Sequence, residues 1–447
     1  MMRTSAKQHV IVGLGMTGLS CARYLRQEGI GFAAMDTREQ PPGLDDFRAE
    51  FPEVELTLGR LDAEQLGAAA TLVLSPGIDP RLPAISQAVA QGVAVTGDID
   101  LFSAKATAPL IAITGSNAKT TVTTLVGEMV KNAGFKVAVA GNIGTPVLDL
   151  LGAASPDYYV LELSSFQLET AGRLRARVAA VLNLSADHMD RYATLADYRR
   201  AKHRIFNGCQ AVVVNRDDPA SHPESGADVE LFSFGLDQAS GPRDFSVQLL
   251  DGREYLACAG EPWLELDRLK IAGRHNVANA LAALAIGHAV GLPRAAMLQS
   301  LQDFRGLPHR CQWVANVRGA DWYNDSKGTN VGATIAAIEG FGPRGPVILL
   351  AGGQGKGADF TPLAPVMARY GRLAVLFGAD ADKLQAALAD HVAVLRADSL
   401  EQAVALAQRE AADGDQVLLS PACASLDMFR NYEQRGDVFT AAVEALR

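Results

Sequence analysis

The feature that most constrains the fold is a repeated alternation. Short aliphatic or β-branched runs, each ending in glycine or a small polar residue, are separated by longer segments with helical spacing. "HVIVGLG", "ATLVLSPG", "LIAITGS", "KVAVAGN", "YYVLELS", "VAAVLNLS", "AVVVN", "PVILLAGG", "LAVLFGA" and "DQVLLSPA" read as buried strands. "TGLSCARYLRQ" and "TTVTTLVGEMVKNAG" read as helices between them. Strands alternating with helices predict parallel α/β sheets. Ligands of such sheets collect beyond the carboxyl ends of the strands, so functional residues are expected just after each run.

At roughly 150 residues per domain, a chain of this length makes about three domains. One boundary is expected near residue 97, where "AVTGDIDLFSAKATAPLIAIT" leaves one α/β unit for a new strand. Another is expected near 306, where "FRGLPHRCQWV" interrupts the pattern, giving domains 1–97, 98–305 and 306–447. Helical pattern is scarce between 208 and 272, which predicts a small antiparallel insertion in the middle domain.

Composition narrows the function classes. A hydrophobic content of 48% supports packed cores, and a net charge of −9 argues against a general nucleic-acid or membrane-surface partner. The five cysteines are widely separated and form no C-x-x-C pair, so neither a zinc site nor a disulfide framework is indicated. "MMRTSAKQHVIVGLG" lacks a signal-peptide core, and no apolar stretch reaches the ~18 residues needed to span a bilayer. The expectation is a cytoplasmic protein with reduced thiols.

Two glycine-bearing turns carry the first chemistry. "GLGMTG" (Gly13, Gly15, Gly18) follows a strand and opens a helix, which suits a nucleotide diphosphate at a helix N-terminus. "AAMDTR" places Asp36 where an acid would meet a ribose hydroxyl, with Thr37 and Arg38 beside it. The second turn, "ITGSNAKTTVTTL", departs from the G-x-x-x-x-G-K-[ST] phosphate-loop pattern: Ile113 and Ala118 stand where glycines belong, and Gly115 is the loop's one glycine. Backbone N–H groups of Gly115, Ser116, Asn117, Ala118 and Thr121 could still wrap a triphosphate, with Lys119 at the β/γ-phosphates and Thr120 offering a hydroxyl to Mg²⁺. Alanine at 118 requires negative φ, or room for its Cβ. "YYVLELSSFQLE" ends an apolar run in Glu162, a carboxylate suited to Mg²⁺. "AGNIGTP" and "LNLSADHMDRY" bring Asn142, Asp187, His188, Asp190 and Arg191 to strand ends.

"TGSNAKTT", "GNIG", "LELSSFQLE", "LNLSADHMDRY", "YRRAKHRIF", "GRHNVANALAALA", "GLPHRCQ", "NDSKGTN" and "LLSPACASLDMFRNYEQRG" together resemble the Mur ligases, in order and over nearly the whole chain. Most members carry glycine where Ala118 stands. The resemblance implies a Rossmann-like N-terminal domain for a UDP substrate, a central P-loop ATPase-like domain and a Rossmann-like C-terminal domain. It also implies ATP-driven amide formation through an acyl phosphate, and the motifs are most similar to the member that joins D-glutamate to UDP-N-acetylmuramoyl-L-alanine in peptidoglycan precursor synthesis.

The site residues that the resemblance implies follow its motifs. For the UDP substrate they are Gly15, Met16, Thr17, Asp36, Thr37, Arg38, Ser75, Gly77 and Asn142. For ATP, Asn276, Asn279, Arg310 and Asp325 join the loop residues 115–121. The D-glutamate pocket draws on Lys327, Thr329, Lys356, Ser425 and Leu426. Two Mg²⁺ ions are implied, held by Thr120 and Glu162 and by His188, with Lys202 contributing if carbamylated. By its own sequence context Lys202 is a solvated helix lysine, Asn276 is an N-cap and the helix begins near Asn276. A monomer with no nucleic-acid or membrane partner is expected. Another amino-acid ligase of the Mur and folylpolyglutamate superfamily is the nearest rival. An NAD-dependent dehydrogenase would account for residues 10–40 but leave Lys119, Glu162 and His188 idle, and a nucleotide-dependent switch would lack ligation chemistry.

Overall fold

The computed structural model describes residues 8–152, 155–224, 229–271 and 273–446. Residues 1–7, expected to lead directly into the first strand, lie outside that range. Among the described residues three sheets form in chain order. The first comprises β1 (His9–Val12), β2 (Phe32–Asp36), β3 (Leu56–Leu58), β4 (Thr71–Leu74) and β5 (Ala94–Thr96), all parallel, in the order β3-β2-β1-β4-β5.

The second contains β6 (Leu110–Thr114), β7 (Val137–Gly141), β8 (Tyr158–Glu162), β9 (Val178–Val181), β10 (Ala211–Asn215), β11 (Glu230–Phe234), β12 (Asp244–Leu250), β13 (Arg253–Cys258) and β14 (Glu261–Glu265). Its order is β14-β13-β12-β11-β10-β9-β6-β8-β7. The third contains β15 (Gln312–Val317), β16 (Ala320–Asn324), β17 (Val347–Gly352), β18 (Gly371–Phe377), β19 (Ala393–Arg396) and β20 (Gln416–Leu419), ordered β15-β16-β20-β17-β18-β19.

The middle strands of each sheet are buried on both faces, as near-continuous Val, Ile, Leu and Ala runs require. The antiparallel segment expected in the middle domain is present. β11 and β12 extend the central sheet in parallel from β10, and only β12–β13–β14 turn antiparallel at its edge. The hairpins are set by local chemistry: Asp251-Gly252, Ala259-Gly260 and Arg318-Gly319 each have positive φ at both positions (50° and 77°, 52° and 76°, 53° and 87°). Such two-residue turns match the twist of antiparallel strands.

Two seams join the sheets. Between the first and second, one continuous apolar core runs from Ile11, Phe32 and Phe51 to Leu110, Leu161 and Val181, with Phe102 edge-on to Tyr159 at 5.0 Å. Between the second and third lies a cleft of about 630 Å³ lined by polar side chains from both. The strand order puts β6 between β8 and β9, third from the β7 edge of the central sheet, and the chain segments leaving all three strands face this cleft. Among the described residues no helix is long and apolar enough to cross a membrane.

Candidate active site

The loop after β6 is clipped to the segment after β9. Ser116 N–H donates to Asn183 O (2.9 Å), Asn117 N–H to Asn183 Oδ1 (2.8 Å), and Ser116 Oγ to Ser185 O (2.9 Å). Ala118 does not keep negative φ: it sits at φ 65°, ψ −5°, the left-handed region where glycine costs least. Its methyl group instead finds room against the apolar core beneath. The following helix, Lys119–Asn132, has no side-chain cap and no acid in its first turn, so its leading N–H groups and positive dipole end are free for an anion.

Two lysines converge on this loop. Lys119 Nζ donates to Gly115 O and Ser116 O, both at 2.9 Å, and Lys202 Nζ donates to Gly115 O (2.8 Å) and Thr114 Oγ1 (3.3 Å). The solvated lysine expected at 202 is overturned. The helix Leu195–His203 turns Tyr198, Ala201 and Lys202 inward at i, i+3 and i+4, leaving Lys202 1% exposed. Its ammonium lies 4.8 Å over the Tyr198 ring. Burial pushes both ammonium groups below the ordinary lysine range, Lys202 well below, with the charge of Lys119 adding to the effect.

Glu162 closes β8 and lies in register with Ile113 of β6 and Gly141 of β7. Gly141 has φ 111°, and a Cβ there would come within 2.2 Å of Glu162 O, so only glycine permits these strand ends to meet. Glu162 Oε1 accepts from Asn142 Nδ2 (2.9 Å), whereas the buried Oε2 has no hydrogen-bond partner among the described residues. An orphaned carboxylate oxygen in the same cleft as Thr120 fits Mg²⁺, which takes one or two protein oxygens and completes its shell with phosphate and water. Among the described residues no group of three or more His, Cys, Asp or Glu side chains could hold a metal by itself.

His188 has φ 55° and its ring meets Phe166 edge-on at 4.8 Å. Nε2 lies 3.7 Å from Asp187 Oδ2, and burial pushes the imidazole below its usual range, favouring the neutral form. Burial would raise Asp187, but His188, Lys356 and Lys119 outweigh it and hold the carboxyl low. Asp187 Oδ1 is 3.8 Å from Lys356 Nζ, which reaches across from the third sheet's loop.

The central domain also lines the cleft with Asn276 and Asn279, and the third sheet's side carries Arg310, Asp325, Lys327, Thr329 and Lys356. The helix bearing the two asparagines begins at Arg274 rather than near Asn276, because Gly273 at φ 95° forms the entry turn. Asn276 is therefore inside the helix, where its Oδ1 accepts from Asn279 Nδ2 (3.1 Å), and is not its N-cap. Asp325 accepts from Ser420 Oγ (2.7 Å) and Cys311 N–H (3.2 Å), and burial raises it to about 6. Lys327 Nζ lies 3.7 Å over the Tyr432 ring, with burial lowering it to about 8. Ser425 and Leu426 do not line the cleft. They sit one step outside it, beyond the Gln354–Ala424 bridge that ties their segment to the Lys356 loop, and Leu426 is 66% exposed.

Two contributors escaped sequence reasoning. Asn330 Nδ2 donates to Asn117 Oδ1 (2.9 Å) and to Asp187 Oδ2 (3.4 Å), while its own Oδ1 caps the helix Val331–Phe341. Asn183 clips the phosphate loop. The signal for each was an asparagine at a strand end or helix start, which alone reads as a cap.

The N-terminal turn does not line the cleft. Gly13 has φ 99°, Ser75 Oγ donates to its carbonyl (2.7 Å), and a Cβ on Gly18 would stand 2.0 Å from that same oxygen. A Cβ on Gly15 would meet nothing within 4 Å. Asp36 is fully buried, so it offers no surface to a ribose hydroxyl. Its oxygens accept from Leu14 N–H (2.7 Å), Arg38 N–H (2.9 Å), Arg38 Nε (2.8 Å) and Arg38 Nη2 (2.7 Å). Burial would raise Asp36, but these bonds outweigh it and hold its carboxyl below the usual range. Met16, Thr37, Arg38 and Gly77 are exposed around the turn, with Thr17 half-buried and Ser75 buried.

Comparisons with known proteins agree with this layout. Three family models match in chain order: "Mur ligase MurD-like, N-terminal domain" over residues 7–97, "Mur ligase middle domain" over 113–287, and "Mur ligase, glutamate ligase domain" over 309–423. The chain is 55% identical over 439 residues to the UDP-N-acetylmuramoylalanine–D-glutamate ligase of Pseudomonas aeruginosa, covering 98% of each. It is 52% identical over 438 residues to the protein of the same name from Hahella chejuensis, again covering 98% of each. Among solved structures, a pseudomurein peptide ligase type C from Methanothermus fervidus superposes with a TM-score of 0.63 at 17% identity, covering 99% of this chain and 100% of that one. MurF from Acinetobacter baumannii superposes with a TM-score of 0.61 at 16% identity, covering 98% of this chain and 92% of that one.

Proposed function

The chain belongs to the Mur ligase family, and on that premise we propose that it joins D-glutamate to UDP-N-acetylmuramoyl-L-alanine at the expense of ATP, in cytoplasmic peptidoglycan precursor synthesis. The observation that carries the chemistry is the pairing of the phosphate loop with the orphaned Glu162 oxygen in one cleft. ATP and Mg²⁺ are the cofactors of the family. When bound, Mg²⁺ supplies the positive charge that lets a triphosphate and a carboxylate approach. Thr120 and Glu162 Oε2 would hold one ion, and His188, with Lys202 if carbamylated, a second. The burial of Lys202 against Thr114 and Gly115 supports the latter assignment, since a carbamate there would face the same loop.

The residues then divide the work. The first-turn N–H groups and Lys119, freed from Gly115 O and Ser116 O, hold the β/γ-phosphates, while Asn276 and Asn279 on one side and Arg310 and Asp325 on the other frame the nucleotide. The alanyl carboxylate attacks the γ-phosphorus, the bond to ADP breaks, and an acyl phosphate forms. The glutamate amine attacks its carbonyl carbon and loses a proton, and orthophosphate leaves. Lys327, Thr329 and Lys356, with Ser425 and Leu426 behind them, receive the two glutamate carboxylates. Arg38 and Thr37 hold the UDP end beside Gly15, with Met16, Thr17, Ser75 and Gly77, and Asn142 meets the sugar-linked portion. The test supplies UDP-N-acetylmuramoyl-L-alanine, MgATP and a panel of amino acids and measures orthophosphate. Release with D-glutamate alone is expected, and equal release with every amino acid would overturn the pocket assignment.

A further inference from the structure

The loop that follows β4 carries Ser75 and Gly77 and packs directly on the glycine turn. Ile78 N–H donates to Ser75 O (2.9 Å), and the Ile78 side chain would touch any Cβ placed on Gly13. The same loop then meets the segment after β9. Arg191 Nη2 donates to Ile78 O (3.0 Å) and pairs with Glu169, and its Nε is buried, 3.6 Å from Asp79 Oδ2 and without a hydrogen-bond partner among the described residues. Arg81 Nη2 reciprocates by donating to Arg191 O (2.7 Å) and lies 3.8 Å from Glu169. The Arg191 guanidinium also lies 4.8 Å over the ring of Phe166, whose edge contacts His188. One side chain, only 11% exposed, thus touches the substrate-turn loop of the first domain and the aromatic ring that backs His188 in the second.

We infer that Arg191 is a positioning residue that locks the Ser75–Gly77 loop to the His188 loop. It thereby fixes the distance between the UDP end of the substrate and the carboxylate to be activated. The inference rests on the function proposed above, which places the two ends of one substrate on two domains. A shift of about 1 Å in the placement of a reacting group can cost ~100-fold in rate. An ion-pair clamp that sets domain placement therefore acts on turnover without touching either the nucleotide or the glutamate. Among the groups described, the clamp is completed by Asp79, Arg81 and Glu169.

The test compares the full-length wild type with Arg191→Ala, Arg191→Lys and Arg81→Ala. Turnover is measured with the complete substrate set, KM for ATP and for D-glutamate separately, and affinity for UDP alone by calorimetry. UDP needs only the first domain. The expected result for Arg191→Ala is a fall in kcat of about ten-fold or more, with UDP affinity and the other two KM values unchanged within two-fold. Arg191→Lys should recover part of the loss, because it keeps the charge and one donor. Arg81 is 49% exposed, so Arg81→Ala should fold even if Arg191→Ala does not, and should lower kcat in the same direction by less. Unchanged turnover in both alanine variants, or UDP affinity falling in step with kcat, would overturn the inference. Failure of the wild type to release orthophosphate with D-glutamate would instead strike the proposed function itself.

Discussion

The two strand–turn–helix corners of this molecule, at Gly13–Gly18 and at Gly115–Thr120, follow one plan and are stabilised in opposite ways. The first is closed from within. A buried Asp36 accepts from Leu14 and Arg38, Ser75 caps the Gly13 carbonyl, and Gly18 lets the helix press onto the turn. The second is held from outside by Asn183 and Ser185, and its own carbonyls are occupied by two lysine ammonium groups. The first corner is a finished surface that a diphosphate can rest on. The second keeps its cations folded onto the backbone, contacts that the proposed function would have exchanged for phosphate oxygens. The difference teaches that a glycine pattern reports backbone geometry, whereas the arrangement of buried charge around a turn reports chemistry.

That contrast can be broken at named positions. The largest effect is expected at the second corner. Lys119→Ala or Glu162→Gln should lower ADP release by a hundred-fold or more, since losing a well-placed charge-stabilising group costs roughly 3 kcal/mol in the transition state. Circular dichroism should remain native, and turnover within ten-fold of wild type would refute the assignment. Next, Gly18→Ala pushes a methyl group onto the Gly13 carbonyl and should destabilise the first domain by about 1–3 kcal/mol, read from chemical denaturation. An unchanged midpoint would show that the turn is not as tightly closed as its geometry states.

Gly15→Ala sharpens the comparison, because the space there is open within the protein. Stability should change by no more than about 0.5 kcal/mol, while KM for the UDP substrate rises. A stability loss without a KM change would mean that Gly15 serves the fold and not a ligand. The smallest effect is expected at Ala118. Relieving its left-handed backbone with Ala118→Gly should stabilise the central domain by about 1 kcal/mol, with a midpoint shift as the readout. Destabilisation would mean that the packing of the partly buried methyl group outweighs the backbone strain.

Much of this was legible along the chain. The α/β class followed from aliphatic runs punctuated by glycine, and the Asp251-Gly252 hairpin is readable as a turn dipeptide. Glu162 stood out as a charge closing an apolar run. Lys202 did not, because a lysine in "YRRAKHRIF" reveals nothing of which helix face meets a phosphate loop 87 positions earlier. Asp36 was read as facing a ligand and is enclosed, since the sequence places it at a strand tip without showing that Arg38 folds back over it.

By itself the sequence determined the local elements and their periodicity, because backbone preference and apolar spacing act over a few residues. Only the tertiary structure decided which polar groups lose water. It buried Lys202 and one oxygen of Glu162, left Leu426 in solvent, and brought Asn117, Asp187 and Asn330 together across two domains. Desolvation depends on what the rest of the chain packs overhead, and that is a property of the whole fold rather than of any stretch within it.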